Sequence, residues 1–347
     1  MAKWATTDAS VDVYQQAICC MLDVASGYLF GSENGTDTLR DPEFENDLTK
    51  LTKTTTKYLR VRTSLIWPFT NLASLIGGNV LPDPAARARW EEWLTRVITN
   101  SYRTHLTKSS SAKSLYDHFY DSFKSADPEM PLVDMASFIA VECDDHISAS
   151  HIGLGILLSY TMYELSRQPD WQRALREEIL ALAEPSDQNL AHHLADLPVL
   201  NAVVTETMRT RAPCPGPFPR VVPYSGCRLV CKYDIPGGTI VSSSAWALHF
   251  NPDPFPSPDE WQPGRWLEAN ESTLVEMRKW IWTFGSGARV CIGTHFSMRV
   301  MKELLIAIYT DYETLLDEQF TGNIEQEDAF SSSPIAGCVK LKFRQIE

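Results

Sequence analysis

The stretch from about Leu132 to Arg167 is the longest helical pattern in the chain, and nothing breaks it before Pro169. Gly153 and Gly155 fall near its middle, where each loosens a helix by about 0.5–1 kcal/mol relative to alanine. Further helical patterns surround it. "DVYQQAICCMLDVASGYLFG" places apolar residues at helical spacing and stops at Gly31. "DPAARARWEEWLTRVITNSYRTH" opens with proline and acid and closes basic, as a helix dipole favours. "PDWQRALREEILALA" has proline in its first turn, and "LADLPVLNAVVTETMRTR" is amphipathic and closed by "APCPGPFP". After that the character changes. "CRLVCKYDIPGGTIVSSSAWAL" has β-branched runs around a P-G-G turn and predicts strands. "NPDPFPSPDEWQPGRW" holds too much proline for helix or strand and predicts an irregular, ordered coil. "THFSMRVMKELLIAIYTDY" returns to helix, and "CVKLKFRQ" alternates like a closing strand. The expected class is mainly α with a small, late β portion and no internal repeat.

At 347 residues and 44% hydrophobic, the chain can bury a sizeable core. A formal net charge of −13 argues against nucleic acid as the main partner. Ten tryptophans fit a protein built around a bulky apolar ligand, and a large ordinary core nearly as well. No run of eighteen apolar residues predicts a membrane span, and "MAKWATTDAS" lacks the apolar core of a signal peptide. Eight cysteines without an export signal point to reduced thiols and an intracellular, cytoplasmic location. Cys19, Cys20, Cys227 and Cys231 are expected to be core or surface thiols.

Trp282 to Gly293 reads "WTFGSGARVCIG", a lone cysteine among three glycines. Structural zinc wants four ligands, and this stretch offers Cys291 and, four residues on, His295. A thioredoxin-like site wants C-x-x-C, which is absent here. A nucleophilic cysteine remains, and so does a thiolate serving as axial ligand to a haem iron. A helix beginning just after Cys291 points its free N–H groups and positive dipole end at the sulfur, favouring the thiolate. The glycines let backbone amides approach that sulfur and tune it. Arg289 suits a haem propionate, which an arginine fork binds well.

"FGSGARVCIG" resembles the cysteine signature of the cytochromes P450, F-x-x-G-x-R-x-C-x-G, at Phe284, Gly287, Arg289, Cys291 and Gly293. "ETMR" is similar to the family's E-x-x-R helix, with Glu206 and Arg209 on one helical face. "WQPGRW" resembles the proline–arginine segment and supplies Arg265. "FPRVVP" resembles the segment of fungal members that carries a propionate-binding arginine, here Arg220, and "YELSRQPDWQRALREEI" resembles the end of the long central helix and the helix after it. The likeness runs from about residue 10 to the C-terminus. It implies one cytochrome P450 domain over 1–347, mostly helical over 1–212, with the coil and cysteine loop over 213–293 and the last helix and strands over 294–347.

Under this resemblance Cys291 is the proximal ligand of a haem b iron, and thiolate ligation favours oxygen–oxygen cleavage. Arg289 and Arg220 are propionate partners, and Phe284 and Gly293 flank the sulfur. Glu206, Arg209 and Arg265 form a structural ion network. Substrate contacts are expected from Ser150 to Leu154, Gly216 to Val222 and Ser333 to Ile335. The implied function is a monooxygenase of fungal secondary-metabolism type, oxidising an apolar small molecule with oxygen and electrons from an NADPH-dependent reductase. Arg278, Lys279, Arg289, Arg299 and Lys302 form a basic stretch that would steer such a reductase. A haem-binding remnant without oxygen activation, and a haem enzyme catalysing a non-redox rearrangement or peroxide chemistry, are the alternatives.

Two departures stand out. Family members carry an anchor or leader, strands and several early helices before the region where this chain starts, so an N-terminally truncated form is expected. A longer form with an anchor would sit at the endoplasmic-reticulum face. In the central helix, counting without gaps from "YELS", the family's A-G-x-D/E-T-T falls on "ASHIGL". Ile152 stands for the usual acid, and Gly153 or Leu154 for the threonine. Ser148, Ser150 and His151 are the nearby polar candidates for proton delivery, chiefly Ser150 and His151. Asp144 and Asp145 sit about two turns too early and are poor substitutes.

Overall fold

Residues 1–7, 9–41, 84–107, 113–182, 194–229 and 232–346 are described by a computed structural model, and Cys231 lies outside them. In chain order the helices are α1 (Ala2–Ala5), α2 (Val13–Phe30), α3 (Pro84–Thr107), α4 (Leu115–Ala126), α5 (Leu132–Arg167), α6 (Pro169–Leu180), α7 (Pro198–Thr210), α8 (Ala245–His249), α9 (Gly264–Glu268), α10 (Glu271–Lys279) and α11 (Thr294–Tyr309). The strands are β1 (Val11–Asp12), β2 (Pro217–Val221), β3 (Cys227–Leu229), β4 (Tyr233–Ile235), β5 (Ile240–Ser244), β6 (Tyr312–Leu316) and β7 (Lys340–Gln345). The class is mainly α with small sheets, as the sequence patterns predict.

The predicted long helix is α5, over the same residues. Its two halves differ because their sequences do. The first half buries a single stripe, Met135, Ile139, Cys143 and Ile147, at a spacing of four. The second half, rich in leucine and small residues, is buried almost all round from Leu154 to Ser166. Ser159, Thr161 and Ser166 survive that burial by returning their hydroxyls to carbonyls one turn back, at 2.8, 2.8 and 2.7 Å. At Glu164 the helix is tied to the α7 end: the carboxylate accepts from Arg211 at 2.9 Å and from Arg167 at 2.9 Å.

α2 lies across the middle of α5, and Gly155 is the reason it can come so close. A Cβ on Gly155 would sit 3.0 Å from both the Cα and the backbone nitrogen of Ile18. A Cβ on Gly153 would meet nothing nearer than Pro213, at 3.9 Å. The two glycines therefore do different things. Gly155 is a packing requirement, and only Gly153 is the loosening element expected of both. Gly155→Ala is expected to cost about 1–3 kcal/mol by forcing α2 away. Gly153→Ala is expected to gain about 0.5–1 kcal/mol. Urea unfolding of the two variants checks the opposite signs.

Three antiparallel ladders complete the chain. The first has order β1-β7-β6, with Val11 opposite Leu341 and Tyr312 opposite Gln345, so it joins the start of the chain to its end. β2 pairs with β5, placing Arg220 opposite Val241, and β3 pairs with β4. The proline-rich coil is ordered for a simple reason. Prolines leave carbonyls without matching N–H groups nearby, and buried arginines satisfy them. Arg209 Nη1 donates to the carbonyls of Pro258 at 2.7 Å and His249 at 2.9 Å, and Arg265 Nη1 to that of Pro256 at 2.9 Å.

Candidate cofactor site

Arg209 and Arg265 both meet the carboxylate of Glu206 in one ion network. Glu206 is fully buried and accepts from Arg209 at 2.7 and 3.0 Å, from Arg265 at 3.0 Å, from the Trp266 indole at 2.9 Å and from the Gln262 amide at 2.9 Å. One carboxylate thus compensates two guanidinium groups, and every lone pair is used.

This network positions the cysteine loop through a residue with no motif of its own, His249. Its Nε2 accepts from the Trp282 amide at 2.7 Å, so the neutral ring carries its proton on Nδ1 and donates to the Arg209 carbonyl at 2.9 Å. Burial pushes its pKa down to about 4, which keeps that neutral form. Thr283 adds a second tie, donating to the Met208 carbonyl at 3.0 Å. Between these anchors and α11 the loop doubles back: the Cys291 amide donates to the Phe284 carbonyl at 2.8 Å. The reversal needs Gly285 and Gly287 at φ +68° and +72°, where a side chain is strained. Gly293 is different, with φ −78°; a Cβ there would lie 3.7 Å from the Cys291 sulfur, so it matters for space beside Sγ.

Cys291 is exposed and lines a cavity of about 540 Å³ between this loop and α5. Arg220 and Arg289 line the same cavity, and among the described residues neither has a carboxylate partner. From α5 the wall is made by Ala149, Ile152, Gly153 and Leu157; Phe284 and Phe218 face it from the other elements. A second cavity, about 450 Å³, shares Asp145, Ala149, Ser150, Cys291 and Ser297 with the first, and Tyr28 of α2 and Phe296 of α11 continue its wall. The two make a largely apolar slot with the thiols of Cys291 and Cys214 and the Asp145 carboxylate in its wall. Of the two thiols Cys291 alone faces both cavities, and two cations without carboxylate partners lie in one part of the slot. That chemistry fits a flat apolar group carrying carboxylates and a thiolate-binding metal, which is what haem is. Among the described residues no group of three or more histidine, cysteine or acidic side chains is placed to hold a metal ion, so Cys291 would be the single protein ligand.

The proton-delivery candidates separate. His151 is buried, with its ring 6.2 Å from that of Trp90, its Nδ1 2.5 Å from the Ile147 carbonyl and its pKa pushed down to about 4 by burial. It does not line either cavity. Ser150 lines both, and its hydroxyl donates to the Ile147 carbonyl at 3.1 Å. Ser148 lines the larger cavity, and so does Asp145, which spacing alone sets aside. Asp144 points elsewhere and accepts from the Trp90 indole at 2.8 Å.

Other expected contacts shift. From the Gly216–Val222 segment the cavity takes Phe218 and Arg220, and just before it Pro213 and Cys214, which no motif marks. Burial pushes the Cys214 thiol up to about 11, with the charge of Cys291 adding to the effect, so it stays neutral beside the site. The C-terminal contribution comes from Phe330 and Ser331, not from Ser333 to Ile335. The basic stretch is also smaller than expected: Lys279 pairs with Glu276 at 2.7 Å and Arg299 with Glu303 at 2.8 Å. Lys302 donates to the Leu194 carbonyl at 3.2 Å, and burial lowers its pKa. No helix of the described residues is long and apolar enough to cross a membrane.

A family model described as Cytochrome P450 matches residues 1–339. A cytochrome P450 monooxygenase of Aspergillus terreus is 32% identical over 244 residues, covering 68% of this chain and 47% of that protein. Cytochrome P450 monooxygenase hkm5 of Aspergillus hancockii is 33% identical over 222 residues, covering 62% and 41%. Cytochrome P450 monooxygenase avaI of Aspergillus versicolor is 32% identical over 240 residues, covering 65% and 56%. The chain spans about half the length of the curated relatives it matches.

Proposed function

We propose that this chain, which belongs to the cytochrome P450 family, binds haem b through Cys291 and oxidises an apolar small molecule of secondary metabolism. Its electrons come from NADPH through a reductase. The observation that carries the reading is the position of Cys291, in the wall of an apolar slot that also exposes Arg220 and Arg289 without carboxylate partners. Haem bound there through a thiolate supplies the oxygen chemistry.

The chain's own residues do the rest. Arg220 and Arg289 would pair with the propionates. The Phe284 ring lines the slot beside the loop whose reversal its own carbonyl fixes, and the network through Glu206, Arg209 and His249 holds that loop still. Ala149, with only a methyl group, and Gly153, with no side chain, keep α5 from filling the cavity. Ile152, Leu157 and Phe218 exclude water and favour an apolar substrate. Of the basic stretch, Lys279 and Arg299 are paired with carboxylates, Lys302 is bound to a carbonyl and Arg289 faces the slot. Among the described residues Arg278 is therefore the cation left for an acidic reductase. A carbon monoxide difference spectrum and NADPH consumption with a reductase test the reading. A thiolate-type band with substrate-dependent consumption supports it. A band without consumption favours a haem-binding remnant or a non-redox haem enzyme.

A further inference from the structure

We propose that Asp145 and Ser148 form the proton relay of this cavity, displaced toward the N-terminus of α5 from where the family's acid and alcohol stand. The inference rests on the monooxygenase reading above. Ile152 and Gly153 occupy the usual positions, both line the cavity, and neither can carry a proton. Among the other polar groups of α5 between Asp144 and Gly153, none is free toward the larger cavity. His151 packs against Trp90, Asp144 is bound to the Trp90 indole, and the Ser150 hydroxyl is bound to Ile147. Asp145 and Ser148 remain. They lie three residues apart on one helical face, with side chains about 5–6 Å apart at Cβ, and among the described residues neither has a hydrogen-bond or ion-pair partner. Both line the cavity that contains Cys291.

Asp145 is exposed and also lines the second cavity with Glu142 and His146, so its carboxyl meets solvent directly. The arginines, Arg220 and Arg289, line only the larger cavity. From Ser148 to Gly153 is five residues, about 7.5 Å along the helix axis. Ala149 and Gly153 present almost no side chain along that path, and both line the larger cavity. A file of about two waters with oxygens ~2.8 Å apart spans the gap. In each transfer the Ser148 hydroxyl gives its proton to the first water and takes one from Asp145. Bulk solvent at the exposed Asp145 then reprotonates the carboxylate, so the relay returns to its starting state with one proton moved.

The test uses the haem-loaded chain and a reaction that is not turnover, cyanide binding to the ferric haem. Hydrogen cyanide enters neutral and binds as the anion, so its proton leaves by the same path in reverse, through Ser148 to the carboxylate form of Asp145 and on to solvent. Asp145→Asn and Ser148→Ala are expected to slow cyanide binding about a hundredfold, the low end of the 10²–10⁴ that a positioned acid–base supplies. Both should also lower product formed per NADPH consumed. Asp145→Glu should recover most of both losses, and Asp144→Asn, next door but turned toward Trp90, should change neither. Natural cyanide kinetics in Asp145→Asn, with the carbon monoxide band intact, would overturn the relay alone. Equal effects from Asp144→Asn would also overturn it, because mere charge would then explain the result. No carbon monoxide band in the natural chain would overturn the monooxygenase reading and the relay together.

Discussion

Glu206→Gln is expected to destabilise the chain by about 3–5 kcal/mol and to impair haem loading with it. Two guanidinium groups, those of Arg209 and Arg265, converge on this one carboxylate inside the protein. Removing one partner of a buried ion pair strands the other charge, which is the costly case. Glutamine keeps the volume but turns an amide N–H₂ toward two cations. The damage reaches the cofactor site because Arg209 holds the carbonyls of His249, Pro258 and Glu260, and His249 holds the loop amide of Trp282. Urea unfolding measures the first effect and haem content after reconstitution the second. A loss below about 1 kcal/mol with full haem content would mean that the network is not what fixes the loop.

Stability is expected to fall as the pH drops from about 6.5 toward 4, before ordinary carboxylates titrate. His249 and His151 both have pKa values pushed down to about 4 by burial, against about 6.5 in the unfolded chain. A depressed histidine favours the fold while neutral. Its contribution is complete above the unfolded value, shrinks through the window between the two values and is gone below about 4. A shift of that size corresponds to about 3 kcal/mol for each group, at 1.36 kcal/mol per pKa unit. His249→Gln should flatten the pH dependence by about half and leave the His151 share. Urea midpoints at several values between pH 7 and 4.5, for the natural chain and the variant, give the slopes. A flat profile in the natural chain, or an unaltered slope in His249→Gln, would contradict the assignment.

Most helices were legible in the sequence because they carry local signals: Pro169 starts one and the α5 pattern runs unbroken to Arg167, whereas the helix read from Leu194 begins only at Pro198. The cysteine loop and the Glu206 network were legible because their chemistry needs fixed residue types at fixed spacing. What the sequence hid depends on which way a helix faces. His151 and Asp145 are both polar residues of α5, and only the packing of Trp90 against His151 and Asp144 shows which face meets the cavity. Counting toward the family motif favoured His151 because it is nearer in number, while six residues upstream Asp145 shares a face with Ala149 and Gly153. His249 and Cys214 sit in segments whose shape is set by contacts made elsewhere in the chain. Their roles come from Trp282 and Ser331, which are distant in sequence. The closeness of Gly155 to Ile18 is tertiary in the same way, which is why a glycine that weakens an isolated helix is required here.

The central claim is that Cys291, and no other thiol, holds the haem iron. Cys214 is the natural control because it lines the same cavity and its thiol is held neutral. The carbon monoxide difference spectrum of the reduced, haem-loaded chain, recorded for the natural protein, Cys291→Ala and Cys214→Ala, decides it. The account predicts a red-shifted thiolate band in the natural protein and in Cys214→Ala, and none in Cys291→Ala. An unchanged band in Cys291→Ala would contradict it.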